Sequence, residues 1–155
     1  MFLPFIEAIS KKFKTPVTIL AKKNTKLEMY FNNKEIVEEI MYLEREDNKK
    51  HSGVKGFFKL VNELKLKKFD KVFIFNSSLR YFLISKFSGI KEVFHYPLFK
   101  KKNQQIIEAA KEFTLKSIGE NVESTPRLFL KEQDILKARK DHSIDQSITC
   151  LLYTS

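Results

Sequence analysis

Short apolar runs alternate with segments of helical periodicity along most of this 155-residue chain. The runs are rich in β-branched and aromatic residues, as buried strands are. The segments between them place apolar residues three and four positions apart, which is the spacing of one face of an amphipathic helix. Such alternation is typical of βαβ units, in which parallel strands form a sheet with helices on both faces. The sequence therefore predicts an α/β fold.

The clearest predicted strand is the continuously apolar run at 71–76. A parallel strand that helices cover on both faces has this composition, so we expect it in the middle of the sheet. The pattern becomes helical from Ser78 onward and ends at Gly89, a residue that commonly terminates helices. We expect this helix to turn four apolar side chains inward, Leu79, Phe82, Leu83 and Phe87.

The other predicted elements complete the alternation. Strands are predicted at 17–21, 38–43, 92–96 and 127–130, and helices at Leu3–Phe13, 25–31, 54–64, 103–118 and 132–139. The helix at 54–64 follows a polar loop at 44–52, and its apolar face is expected to comprise Val54, Phe57, Phe58, Val61 and Leu64. Gly119 should end the helix at 103–118.

The net charge of +10 raises the question of nucleic-acid binding. The basic residues are mostly lysine, however, whereas proteins that read base sequence favour the bidentate fork of arginine. No helix-turn-helix, zinc-finger or aromatic RNA-binding signature is present. We therefore expect no nucleic-acid partner. An anionic glycolipid or membrane surface explains the charge at least as well.

Location and metal content follow from simple features. No apolar run approaches the roughly 20 residues that a membrane-spanning helix requires, and residues 1–5 lack a secretory n-region. A cytoplasmic protein, peripheral at the inner face of the cytoplasmic membrane and monomeric, is expected. Cys150 is the single cysteine, so no intramolecular disulfide forms. His51 and His142 have no ligand at metal-binding spacing, and no metal is expected.

Four collinear stretches carry a family resemblance. They are 3–9 (LPFIEAI), 69–80 (FDKVFIFNSSLR), 103–113 (NQQIIEAAKEF) and 126–130 (PRLFL), the last followed by Glu132. They resemble, in order, the "LPALRAL" helix, the "YDLVIDLQGSLRS" strand and turn, the helix after the mobile acceptor loop, and the "PRL-L-EE" exit of one domain. That domain is the N-terminal domain of the lipopolysaccharide heptosyltransferases, the ninth glycosyltransferase family.

The resemblance implies a Rossmann-like parallel sheet with helices on both faces, the N-terminal half of a two-domain type B glycosyltransferase fold, with its first strand missing. Residues 1–130 would form this acceptor-side domain and 131–149 an interdomain helix and linker. The last residues, 150–155 (CLLYTS), resemble a sequencing read-through, although a genuine short strand would have the same composition.

The family's chemistry is an inverting displacement, in which an aspartate base activates an acceptor hydroxyl that attacks ADP-heptose. The resemblance places that aspartate before Met1, so no catalytic residue is expected in this chain and the chain alone should be inactive. No cofactor is implied, because the nucleotide-sugar donor would bind the missing C-terminal domain. The expected partner is an anionic glycolipid, such as a lipopolysaccharide core.

Two groups of residues are candidates for substrate binding. Asn76, Ser77, Ser78 and Arg80 follow a predicted strand, at the sheet edge where open α/β proteins bind ligands, and Arg80 suits a carboxylate or phosphate. A serine that only caps the following helix would explain the same residues at these positions. The second group is a basic loop with an aromatic edge: His95, Tyr96, Lys100, Lys101, Lys102 and Asn103. Ordinary solvated surface is the alternative for this group.

Two other functions stay open on the sequence. One is a Rossmann-like domain of another nucleotide-sugar or nucleotide-binding protein, since the sheet pattern is shared by many families. The other is a basic nucleic-acid-binding module, which would show strongly salt-dependent affinity.

Overall fold

The computed structural model describes residues 2–25, 27–29, 35–45, 49–96, 105–123 and 132–141. Five α-helices and four β-strands lie within these residues. The helices are α1 (Leu3–Phe13), α2 (Gly53–Lys67), α3 (Leu79–Phe87), α4 (Ile106–Ile118) and α5 (Glu132–Asp141). The strands are β1 (Val17–Lys22), β2 (Val37–Leu43), β3 (Lys71–Ile74) and β4 (Glu92–His95). The predicted α/β class is confirmed.

The strands form two parallel pairs. β1 pairs with β2, and β3 pairs with β4. No ladder joins the two pairs within the described part of the chain. The continuous sheet with 71–76 in its middle is therefore not found, because β3 has a strand partner on one side only among these residues. The parallel direction of both pairs agrees with the predicted βαβ units.

Helix α1 contacts both strand pairs from one side. It packs against β1, and its Phe13 ring lies 5.9 Å from that of Phe73 in β3. The ring of Phe5, which is fully buried, lies 6.2 Å from that of Phe75 at the end of β3. Helix α4 packs beside α1, and its Phe113 contacts the same Phe75 ring at 5.0 Å. α1 and α4 thus form one helical layer.

Helices α2 and α3 form the opposite layer. Their buried residues make one cluster with the end of β2, consisting of Leu43, Leu60, Val61, Leu64 and Ile84. Leu20 of β1 and Met41 of β2 pack against this cluster. The Ser88 hydroxyl at the end of α3 lies 3.1 Å from the Val61 carbonyl of α2 and 2.7 Å from the Ile84 carbonyl of its own helix, so its single proton is shared between the two helices. Because α3 also contacts β3 and β4, both strand pairs lie between the same two helical layers.

Helices α3 and α4 end as the sequence predicts, at Gly89 and Gly119. Both glycines have positive φ, +80° and +73°, a conformation that side chains with a Cβ disfavour. α1 and α2 end differently, on Lys14 and Lys68 in the left-handed region. The helix predicted at 132–139 is also confirmed.

Two expectations about elements were wrong or lie outside the described residues. Where the helix at 25–31 is predicted, the described residues form two 3₁₀ turns, Lys23–Thr25 and Leu27–Met29, and residues 26, 30 and 31 lie outside the described part. A helical segment this short is marginal unless it packs an apolar face, and most of the described residues of this stretch are exposed. The predicted strand at 127–130 lies outside the described residues.

The predicted inward faces of α2 and α3 were partly wrong. Val54 and Phe58 of α2, and Leu79, Leu83 and Phe87 of α3, are exposed. The reason is that α3 buries its small polar side as well: Ser85 and Ser88 are buried beside Ile84, and their hydroxyls bond to main-chain carbonyls. Because α3 has apolar residues on nearly every side, some of them stay exposed whichever side packs against the core.

Candidate functional site

The corner between β3 and α3, residues 75–80, lies at the carboxyl end of its strand, as predicted. Asn76 and Ser77 are exposed there. The Asn76 Oδ1 atom accepts a hydrogen bond from the Ser78 N–H at 2.8 Å. Ser78 is the N-cap residue of α3, but its side chain makes no capping bond. The turn is therefore held by the asparagine rather than by either serine, which leaves the Ser77 side chain at the surface.

Arg80 joins the beginnings of two helices. Its Nη2 donates to the Gly53 carbonyl at 2.9 Å and to the His51 carbonyl at 3.3 Å, both at the start of α2. Its guanidinium carbon lies 5.4 Å from the centre of the Phe57 ring. The sequence predicted either an anion-binding or a solvated side chain. The structure shows a third role, since one of the two terminal nitrogens already binds main-chain oxygens.

The sequence predicts that His51 belongs to a polar loop, but only 2% of its surface is exposed. The Nδ1 atom of its ring accepts a hydrogen bond from the Glu44 main-chain N–H at 3.1 Å. The main-chain N–H of His51 donates to the Glu44 carbonyl at 2.8 Å. Because Nδ1 is an acceptor, Nε2 carries the ring proton in the neutral form and donates to Glu63 at 3.1 Å. The imidazole thus links the end of β2 to the middle of α2.

Glu63 is the acidic member of this cluster. Its carboxylate also binds the Lys50 ammonium at 2.7 Å. Partial burial works against the charged form, but hydrogen bonds from Lys50 and His51 and their charges outweigh it and lower the pKa of the Glu63 carboxyl. Glu63 is therefore a structural anion, ionised at neutral pH. No group of three acidic, histidine or cysteine residues within the described part could hold a metal.

Gly56 allows α2 to lie directly on the loop that ends at His51. A Cβ built on Gly56 would lie 2.1 Å from the His51 carbonyl carbon and 2.6 Å from its Cα. Atoms of a folded protein do not approach that closely, so any side chain at position 56 would force the helix and the loop apart. The sequence shows a glycine within a helical pattern, but nothing in it identifies the partner backbone.

The second predicted group is only partly described, and its two described residues are not in a loop. His95 is the last residue of β4, and its ring lies 5.6 Å from Phe82. Tyr96 packs between Phe75 and Phe113, with ring centres 5.8 and 4.9 Å away. Lys100, Lys101, Lys102 and Asn103 lie outside the described residues, so their role in binding stays a prediction.

Burial raises the pKa of Tyr96 to about 12. Its hydroxyl is buried and has no hydrogen-bond partner among the described residues. An unpaired buried hydroxyl costs about 1–3 kcal/mol. We therefore expect Tyr96→Phe to leave the free energy of unfolding unchanged or to raise it by up to about 1 kcal/mol.

Chemical denaturation of both proteins would measure this difference. The matched control is Tyr81→Phe, because the Tyr81 hydroxyl accepts a hydrogen bond from Arg45 Nη1 at 3.1 Å. That variant should lose about 0.5 kcal/mol. A larger loss in Tyr96→Phe than in Tyr81→Phe would show that the Tyr96 hydroxyl has a partner.

The carboxyl edge of the strands carries two helix beginnings and Arg80, beside Glu44 at the end of β2. α2 and α3 both begin there, neither has an acidic residue in its first turn, and Arg80 lies between them. Helix beginnings carry partial positive charge and free N–H groups, which favour anions. The described part of this edge therefore suits a phosphate or carboxylate better than a cation.

Comparisons with models of known protein families, with curated proteins and with solved structures find no match to this chain. Within the described residues, no helix combines the length and the apolar character that crossing a membrane demands.

Proposed function

We propose that the chain is the acceptor-side, N-terminal half of a heptosyltransferase-like glycosyltransferase with a Rossmann-like fold. The complete enzyme would transfer a heptose-like sugar from a nucleotide-sugar to a lipopolysaccharide core or a similar glycolipid. In this proposal the present chain contributes acceptor binding, and transfer also requires the donor-binding domain of the complete enzyme.

The arrangement of the two strand pairs around α1 carries the proposal. α1 contacts both β1 and β3, so these two strands form the inner edges of their pairs. A strand that entered α1 through a right-handed crossover would run parallel to β1 and occupy the position between β1 and β3. The resulting order, β2, β1, new strand, β3, β4, corresponds to the order 3-2-1-4-5 of a doubly wound sheet.

Such a sheet supports a binding site at the described corner. In doubly wound folds the strand order reverses next to the first strand, and ligands bind in the crevice outside the carboxyl ends of the strands there. The corner at 75–80 belongs to the strand on one side of that crevice. Its exposed amide and hydroxyl, with Arg80 below them, offer hydrogen bonds for sugar hydroxyls and positive charge for phosphate.

A binding experiment tests acceptor recognition directly. The probe is a deacylated, phosphorylated lipopolysaccharide-core oligosaccharide, which is soluble and retains the anionic groups. We expect its addition to shift the backbone amide NMR signals of residues 75–80. Asn76→Asp keeps the oxygen that caps Ser78 and adds one negative charge, so binding should weaken about tenfold through repulsion of the phosphates.

The matched control is Asn121→Asp, which changes net charge equally. Asn121 follows Glu120, whose carboxylate pairs with Lys12 at the end of α1, so it lies at the opposite edge of the strands. The Asn121→Asp variant should bind the oligosaccharide with the same affinity as the unchanged chain. Equal weakening in both variants, or no shifts at 75–80, would contradict the proposal.

The same experiment separates the nucleotide-binding alternative. The unpaired position between the strand pairs fits any doubly wound fold, including those that bind nucleotides at this edge. If ADP shifts residues 75–80 and the oligosaccharide does not, the chain is a nucleotide-binding domain of another family. The acceptor-side proposal expects no such ADP response, because the donor belongs to the other domain.

A further inference from the structure

An exposed apolar face lies on the outside of the α2 and α3 layer. We call it the α2–α3 face, and it consists of Val54, Phe57, Phe58, Leu83 and Phe87. Val54, Phe58 and Phe87 are 73%, 57% and 63% exposed. The ring of Phe57 lies 5.3 Å from that of Phe58 and 6.0 Å from that of Phe87, so the apolar surface is continuous across the two helices. Contiguous exposed apolar surface of this kind usually marks an interaction site.

Among the described residues of α2 and α3, the charged side chains next to this face are basic. Lys55 and Lys59 follow Val54 and Phe58 on α2, and Lys86 precedes Phe87 on α3, all three exposed. α3 contains no acidic residue. The acidic residue of α2, Glu63, lies one turn beyond Lys59 and is bound to Lys50 and His51. An apolar centre with a lysine rim is the composition of surfaces that lie at the boundary of anionic membranes.

We propose that the α2–α3 face docks on the surface of an anionic lipid bilayer, with Phe58 and Phe87 entering the headgroup boundary and the three lysines contacting lipid phosphates. This inference does not depend on the proposed function. A symmetric dimer through the same face is disfavoured, because it would bring two lysine rims together. Single-stranded RNA also binds surfaces of aromatic rings and lysines, and an RNA complex is one outcome of the test below.

The α2–α3 face extends from Val54 in the first turn of α2, beside the carboxyl edge of the strands, to Phe87 at the last residue of α3, so docking would lay both helices along the bilayer. Both helices begin at that edge, where Arg80 joins them, and Val54 lies in the first turn of α2. A glycolipid acceptor presents its sugars at the same surface.

Vesicle co-sedimentation with the full chain tests the proposal. We expect binding to vesicles of phosphatidylcholine that contain phosphatidylglycerol, and much weaker binding to phosphatidylcholine alone. The double variant Phe58→Ser with Phe87→Ser should bind about tenfold more weakly or worse, because it removes half-exposed aromatic surface. Its control is Ile106→Ser with Leu115→Ser, which removes two exposed apolar side chains from α4 and should not change binding.

A second pair of variants tests the charges without altering apolar surface. Lys55→Glu with Lys59→Glu should also lower affinity about tenfold or more. Lys137→Glu with Lys140→Glu, on exposed positions of α5, changes net charge equally and should retain binding. Thermal unfolding of each variant confirms that it is folded.

Several results would overturn the inference. One is failure of the unchanged chain to bind the anionic vesicles. Another is equal loss of binding in the α4 or α5 controls. A third is a concentration-dependent dimer, or an RNA complex, that the Phe58 and Phe87 variant abolishes in the absence of vesicle binding. Asn76→Asp should leave vesicle binding intact, so failure of the acceptor experiment is distinguishable from failure of this one.

Discussion

Gly56→Ala should destabilise the folded protein by more than about 3 kcal/mol. The added Cβ would lie 2.1 Å from the carbonyl carbon of His51, and both atoms belong to parts of the structure that cannot rotate away. Helix propensity alone predicts the opposite sign, since alanine is favoured over glycine within a helix by about 1 kcal/mol. The steric term is larger because the contact is with backbone. Chemical denaturation would measure the difference.

Gly53→Ala is the matched control, three residues earlier in the same helix. No atom lies within 4 Å of a Cβ built at Gly53, but its φ is +61°. Alanine there should cost only about 1–2 kcal/mol, the strain of the left-handed conformation. If Gly56→Ala proved as stable as the unchanged protein, α2 could not lie on the His51 backbone as described.

His51→Ala should lower the free energy of unfolding by about 3 kcal/mol. It removes a buried ring, leaves the Glu44 N–H without its acceptor and deprives Glu63 of a donor. The expected loss in the free energy of unfolding adds the cost of a cavity to the cost of leaving buried polar groups without partners. Urea denaturation at neutral pH would measure it.

Two further substitutions at this position separate the contributions. In His51→Asn the amide oxygen can replace Nδ1 as acceptor for the Glu44 N–H, and in His51→Gln the amide nitrogen can reach Glu63. Each should recover about 1 kcal/mol relative to alanine. If neither recovered any stability, the two hydrogen bonds would contribute nothing and the loss would be due to packing alone.

The pH dependence of stability provides an independent measurement on the same cluster. Because the pKa of Glu63 is lowered in the folded state, its stabilising contribution is fully present above the ordinary value of 4.5. It is lost as the pH falls through the lowered folded value. Glu63→Gln should therefore flatten the acid side of the stability profile and leave its alkaline side unchanged.

Most helices and strands could be predicted from local pattern. α1, β1, β2 and β4 begin or end within a residue or two of the predicted positions, because apolar periodicity is a local signal. The sheet order could not be predicted in the same way. Pairing depends on contacts between strands far apart in the chain, and no periodicity within one strand identifies its neighbour.

The faces of α3 show where pattern reasoning fails. Leu79, Leu83 and Phe87 have the right spacing for a buried stripe, yet the helix buries the side that carries Ile84 and two serines. The hydroxyls of those serines form hydrogen bonds to main-chain carbonyls, so burying them costs little free energy. A periodicity rule that scores only apolar residues cannot detect such a face.

At the candidate site, the sequence identified the exposed corner but not its internal bonds. The position of Asn76 and Ser77 after a buried strand followed from the βα pattern. The contact from Arg80 to the start of α2 did not, since it joins residues 27 and 29 positions apart. The burial of His51 could not be predicted either, because a histidine in a polar segment is typical of an exposed loop.

The close contact of His51 and Gly56 also limits how the length of this region can vary. The polar segment before His51 has the composition of a loop that tolerates insertions. Between His51 and Gly56, however, one added or deleted residue would rotate the helix by about 100° and move the glycine off the backbone it must accommodate. Relatives of this chain should therefore differ in length before the histidine and keep four residues between it and the glycine.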